Sequence, residues 1–270
     1  MTPLGQDDVV AGLERLGLAG ARVAVHTSLR SFGALEGGAD AVVGALRAVC
    51  ATVLAPAFCW DSNAPPPPGD RPARNGCDYA FYDGWTRPPL PFRAEAAGIQ
   101  RSMGAVPRRL LELPGVCRSD HAWHSWAALG EGAGALTADH GWETTNLPLE
   151  RLARAGGQVL LLGVGLGSCT AIHCAEERAG QRPFIRWATG RDGVVRRVRA
   201  AGCAKGFDAL LPGCADLFRE AHIGPCRALA APLEPLIARA ASLLRADPGA
   251  GRCPTACLRC RDAALGGPDA

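Results

Sequence analysis

Four consecutive apolar residues, Val159-Leu160-Leu161-Leu162, run directly into Gly163-Val164-Gly165-Leu166-Gly167-Ser168 and then into a helix-like stretch carrying His173 and Glu176. A short apolar run bounded by glycines reads as a strand buried on both faces. Strands of that kind belong to parallel sheets covered by helices. The end of the segment is also chemical. Residues three apart share a helical face, so the Glu176 carboxylate can hold one imidazole nitrogen of His173 and leave the other free to take a proton. Ser168 or Thr170 is placed to cap the helix, which puts His173 in its first turn beside free backbone amides.

The remainder of the chain fits such a sheet. Apolar residues at helical spacing over 7–18 end at Gly20, and Ala21 to Val25 forms a short strand. A helix over 41–49 and a strand over 52–55 complete a βαβ pattern, so the expected class is α/β with a largely parallel or mixed sheet. Short helices are expected at 106–113 and 147–155, a hairpin at 187–198 turning at Arg191-Asp192-Gly193, and helices at 206–221 and 228–245. The expected organisation is one domain over 1–246, with a substrate-side loop at about 61–91, and a cysteine-containing tail over 247–270 that looks poorly packed.

A formal net charge of +3 over 270 residues, with arginines spread along the chain, points away from nucleic acid and toward small-molecule partners. No window reaches the length of a spanning helix, and the first ten residues contain Asp7 and Asp8 in place of a basic apolar leader. A cytoplasmic protein without membrane partners, monomeric or homodimeric, is the expectation. Its twelve cysteines are then read as free thiols.

Three other patterns compete for chemistry. Gly163-x-Gly165-x-Gly167 imitates a dinucleotide fingerprint, but Ser168 stands where the sixth-position glycine belongs, so that site is rejected. His121 and His124, interleaved with Trp123, read as a packed turn and not as a catalytic metal set. Cys253, Cys257 and Cys260 have the spacing of three structural zinc ligands, with Cys203, Cys214, His222 or Cys226 open as the fourth; the competing reading is exposed thiols in a loose tail. Cys169 or Cys174 beside His173 is the covalent alternative to a general base. A zinc-binding module without catalysis is the non-enzymatic one.

Four segments, in order, resemble the aminoglycoside 3-N-acetyltransferase family. They are Val25 to Arg30 with Gly37-Gly38-Ala39-Asp40; Arg101-Ser102-Met103-Gly104-Ala105-Val106-Pro107; Arg118-Ser119-Asp120-His121 through His124 to Gly130; and Leu161 to Gly165 through Thr170 to Glu176. The resemblance implies a three-layer α/β/α domain, distinct from the GNAT fold, that moves acetyl from acetyl-CoA to an amine without an acyl-enzyme. It implies His173 as general base with Glu176 orienting it. It also implies a cofactor channel along His26, Thr27, Ser28, Leu29, Arg30 and Ser31, with Met103, Gly104 and Ala105 lining the same site. Aminoglycosides are polycations and call for an acidic site. The candidate acceptor contacts are accordingly Asp61, Tyr79, Asp83, His124 and Glu177, in a chain whose loop also carries Arg71, Arg74 and Arg87. A non-aminoglycoside amine is the alternative acceptor.

Overall fold

Three parallel strands form the centre of the computed structural model, which describes residues 3–88, 90–96 and 98–269. The helix α1 (Gln6–Arg15) leads to β1 (Arg22–Thr27), α2 (Gly38–Val49) and β2 (Thr52–Pro56); then come α3 (Ala105–Leu111), β3 (Cys117–Arg118), β4 (Trp126–Gly130), α4 (Ala133–Thr137), α5 (Leu147–Arg154) and β5 (Gln158–Leu162). The second half contains α6 (Ala171–Arg178), β6 (Phe184–Thr189), β7 (Val195–Ala200), α7 (Leu211–Cys214), β8 (Arg219–Ile223), β9 (Cys226–Pro232), α8 (Leu233–Ala246) and α9 (Leu258–Ala264).

The sheet has seven strands in the order β3-β4-β2-β1-β5-β9-β8. β1 pairs in parallel with β2 and β5, while β4 and β9 add antiparallel on either side. The fold is therefore α/β with a mixed sheet. Each face carries its own core. Leu13, Val42, Leu46, Val106 and Leu160 pack on one, and Leu149, Leu161, Ile172, Leu236 and Ile237 on the other. The alternation of Leu160 and Leu162 against Val159 and Leu161 to opposite faces is why the run at β5 is apolar throughout. From β1 the chain steps to β2 on one side, whereas β5 lies on the other side, so a crevice opens at the carboxyl ends of β1 and β5. Open α/β sheets bind their ligands at such switch points.

Three expectations are corrected. The stretch 206–221 is not one helix: Pro212 and Gly213 confine α7 to four residues, and β8 starts at Arg219. β9 replaces the beginning of the helix expected from residue 228, which starts only at Leu233. Cys226-Arg227-Ala228-Leu229-Ala230-Ala231 has no β-branched residue and by local propensity favours helix. Pairing with β5 on one side and β8 on the other overrides that preference. The tail is not loose either, since Cys253 and Cys260 are buried and α9 follows.

Candidate active site

The crevice at the β1 and β5 ends is a cleft of about 700 Å³. Val25, His26 and Thr27 from β1, Pro56 at the end of β2 and Phe58 just beyond it, and Ser168, Thr170 and His173 beyond β5 all line it. Its roof comes from the loop after β2 and from the β6–β7 hairpin, through Cys77, Asp78, Phe81, Tyr82 and Arg186.

His173 occupies the third position of α6, as the spacing predicted. Its Nδ1 donates to Glu176 Oε2 at 2.6 Å, because an ionised carboxylate can only accept. The two side chains are 10% and 13% exposed, so this bond is made largely out of water, where it orients the ring strongly. Nδ1 being occupied, Nε2 is the nitrogen left for a ligand in the cleft. The Phe207 ring, 4.8 Å away and edge-on, fixes the imidazole from the side. Thr170 precedes α6 but does not cap it through its side chain. It lines the cleft instead, with its hydroxyl unbonded to any described residue.

Two further histidines line the cleft and are neutral. Burial lowers His26 to about 4, and burial followed by the charge of His173 lowers His124 to about 3. His124 Nε2 accepts the Ala201 N–H at 3.2 Å, so its Nδ1 carries the hydrogen; that N–H is buried and has no partner among the described residues. By contrast His121 Nδ1 accepts the Trp123 and His124 amides, which makes it the pivot of a packed turn.

The glycines after β5 make room for side chains, not phosphates. A Cβ at Gly163 would lie 1.8 Å from Ser31 Oγ, and one at Gly165 would lie 2.3 Å from Asp208 Oδ1. Asp208 then accepts the Gly167 N–H at 3.2 Å.

Of the residues implied for the cofactor, His26, Thr27 and Met103 line the cleft, joined by Ser102 and Pro107. Ser28, Leu29, Arg30 and Ser31 form the turn behind it, where Ser31 Oγ donates to the Ser28 carbonyl. Gly104 precedes α3 with φ +87°, and Ala105 begins that helix.

Of the acceptor candidates, His124 lines the cleft, and Asp61, Tyr79, Asp83 and Glu177 do not. Tyr79 donates to the Pro72 carbonyl and lies tilted against Trp187, which packs the loop. Asp83 faces Arg71 at the surface. Asp70, which Trp187 Nε1 and Arg197 both hold, is likewise occupied and is kept below the usual carboxylate range, chiefly by the Arg197 bond. Asp78 is the acidic residue that does line the cleft, and charge count alone did not single it out. Cys169, just before α6, and Cys174, on its buried face, belong to the core and do not line the cleft, and burial pushes both thiols up, Cys169 to about 12. Neither is a nucleophile in this setting.

Glu177 is a structural liability with a measurable signature. Burial first, and then the Glu150 carboxylate, raise its carboxyl to about 7 from 4.5. A raised carboxyl binds its proton more tightly in the folded chain than in the unfolded one, so it costs stability as pH rises from about 4.5 through about 7. Glu177→Gln is therefore expected to stabilise the protein by about 1–3 kcal/mol at about pH 8, with the gain vanishing near pH 4.5. Denaturant melts of both proteins at the two pH values check this, and a pH-independent difference would count against it.

The family model described as aminoglycoside 3-N-acetyltransferase matches residues 24–245. Aminoglycoside N(3)-acetyltransferase VIII of Streptomyces fradiae is 37% identical over 222 residues, covering 76% of this chain and 73% of the relative. Aminoglycoside N(3)-acetyltransferase III of Salmonella sp is 37% identical over 203 residues, covering 70% and 68%. Among solved structures, the apoenzyme of aminoglycoside acetyltransferase AAC(3)-IVa aligns with a TM-score of 0.78 at 26% identity over 98% of both chains. AAC-IIIb in its binary complex with CoASH aligns with a TM-score of 0.75 at 25% identity, over 91% of this chain and 97% of that one.

Proposed function

Since this chain belongs to the aminoglycoside 3-N-acetyltransferase family and is an acetyl-CoA-dependent acetyltransferase, we propose that it acetylates an aminoglycoside amine at the 3-N position, with His173 as general base. The observation that carries the mechanism is the 2.6 Å bond from His173 Nδ1 to Glu176 Oε2 in the wall of the cleft. Acetyl-CoA supplies the activated acyl group as a thioester. His26, Thr27, Met103 and Pro107 offer a flank of apolar and hydrogen-bonding groups suited to its pantetheine arm.

His173 Nε2 takes a proton from the acceptor ammonium and so frees the lone pair that bonds to the acyl carbon, Glu176 stabilises the imidazolium that results, and the bonded nitrogen gives up its second proton as the thiolate leaves. The carbon–sulfur bond breaks, and the departing thiolate takes up a proton from His173 or from solvent. The Thr170 hydroxyl is the donor proposed for the negative charge that develops on the acyl oxygen. Direct attack needs no cysteine, in keeping with the buried, protonated thiols of Cys169 and Cys174.

One observation favours a second acceptor class. Asp78 is the sole carboxylate among the described residues lining the cleft, against the guanidiniums of Arg186 and Arg259. Arg186 donates to the carbonyls of Asn75, Gly76 and Ile185 and has no carboxylate partner among the described residues. A wall of that charge suits an amine with fewer positive charges than an aminoglycoside.

Thiol release from acetyl-CoA with gentamicin-type, kanamycin-type and apramycin-type acceptors separates the two readings. Turnover above background hydrolysis with one of them is the expected outcome. Acetyl-CoA binding without release for any aminoglycoside would transfer the assignment to the less charged amines.

A further inference from the structure

Cys203, Cys253, Cys257 and Cys260 bring their Sγ atoms within 4.8 Å of one another, the one such convergence of metal-capable side chains among the described residues. Three come from the C-terminal segment, where Cys257 precedes α9 and Cys260 sits in its first turn. The fourth follows β7 and is distant in sequence. A tetrahedral zinc with bonds of about 2.3 Å places its sulfurs roughly 3.8 Å apart. Cys253 and Cys260 lie 3.5 Å apart, close to that spacing.

The surroundings fit thiolates. The Cys253 amide donates to Cys260 Sγ and the Cys257 amide to Cys253 Sγ, both at 3.4 Å. Backbone N–H groups directed at sulfur spread the charge of a four-thiolate site and orient its ligands. The set contains no imidazole, no carboxylate and no open position, so it suits a closed structural centre. All-sulfur, soft ligation in tetrahedral arrangement selects zinc over magnesium, calcium or manganese.

We propose that these four cysteines bind one structural zinc ion that clamps the C-terminal segment to the wall of the catalytic cleft. The link to the cleft is short. Ala201 and Gly202, which directly precede Cys203, line it, as does Arg259 between Cys257 and Cys260. Arg259 donates to the Gly202 carbonyl at 3.4 Å, and the Ala201 amide donates to His124 Nε2. Gly202 also lies against the His173 partner, with Glu176 Oε2 3.9 Å from where its Cβ would stand. Zinc thus holds together two segments, distant in sequence, that form one side of the site. The metal assignment stands whether or not the acceptor proposed above is right.

The full chain, purified under reductant without chelator, is expected to contain one zinc per molecule. Titration with an organomercurial should release it as the four thiols react, and cobalt substitution should give the intense visible spectrum of tetrahedral thiolate ligation. Cys203→Ser and Cys257→Ser are expected to lose the metal and to melt roughly 10 °C lower. If those variants fail to fold, the metal content and cobalt spectrum of the unaltered protein still decide. Iron in place of zinc, no metal with the four thiols freely reactive, or disulfides among them in reduced preparations would overturn the proposal.

Discussion

Replacing His173 by alanine is expected to lower kcat by about 10²- to 10⁴-fold, the usual contribution of a positioned general base. The acceptor amine is protonated near neutral pH, so it must lose a proton before its lone pair reaches the acyl carbon. Among the described residues lining the cleft, His173 combines a ring nitrogen free of hydrogen bonds to described residues with a carboxylate partner able to support a positive charge on the ring. His26 and His124 do not compensate, because burial holds them at about 4 and about 3 and leaves each too weak a base. Acetyl-CoA binding should survive the substitution, since the role proposed for His173 is on the acceptor. The expected signature is a fall in kcat with little change in the dissociation constant for acetyl-CoA.

A control separates chemistry from packing. The His173 ring touches Phe207 and is buried, so alanine also leaves a void. His173→Gln fills most of that space and should be as inactive, whereas added imidazole should restore part of the turnover of the alanine variant. Glu176→Gln keeps the shape but removes the charge that stabilises imidazolium, and should fall between wild type and His173→Ala. Full turnover by His173→Ala would falsify the general-base assignment outright.

The sequence exposed the chemistry more fully than the walls around it. β5, its glycine turn and the His173–Glu176 spacing are local: a strand, a break and one helical turn settle them, and the structure shows all three. The roof of the cleft depends on pairings between distant segments. Nothing in the sequence around Asp70 or Asp78 distinguishes one from the other. Only the fold brings Arg197 and Trp187 onto the first and leaves the second at the cleft. Cys203 was one of four possible fourth partners for the C-terminal cysteines, because nothing local to it indicates where α9 will lie. β9 was missed for the same reason. Its alanines and leucine are content in a helix, and the neighbours that make it a strand lie about 70 residues upstream in β5 and directly before it in β8.

Gly163→Ala is the substitution expected to damage the fold most, by about 2–5 kcal/mol. Gly163 has φ +67°, a left-handed conformation that costs a residue with a Cβ about 1–2 kcal/mol. The added methyl would also stand 1.8 Å from Ser31 Oγ and 2.2 Å from Ser31 Cβ. Rotating the hydroxyl relieves the first contact but not the second, so backbone must move, at an overpacking cost of about 1–3 kcal/mol. The backbone that would move is the turn after β1, tied to β5 by the Ser28 amide donating to the Leu162 carbonyl at 2.8 Å and closed by the Ser31–Ser28 bond. That turn directly follows His26 and Thr27, so a loss of acetyl-CoA affinity should accompany the loss of stability. Adding Ser31→Gly removes the steric part and leaves the conformational part. The double variant should therefore recover about 1–3 kcal/mol of what Gly163→Ala lost. Denaturant unfolding of the two single variants and the double closes this cycle, and additive losses would mean that Ser31 is not what the glycine accommodates.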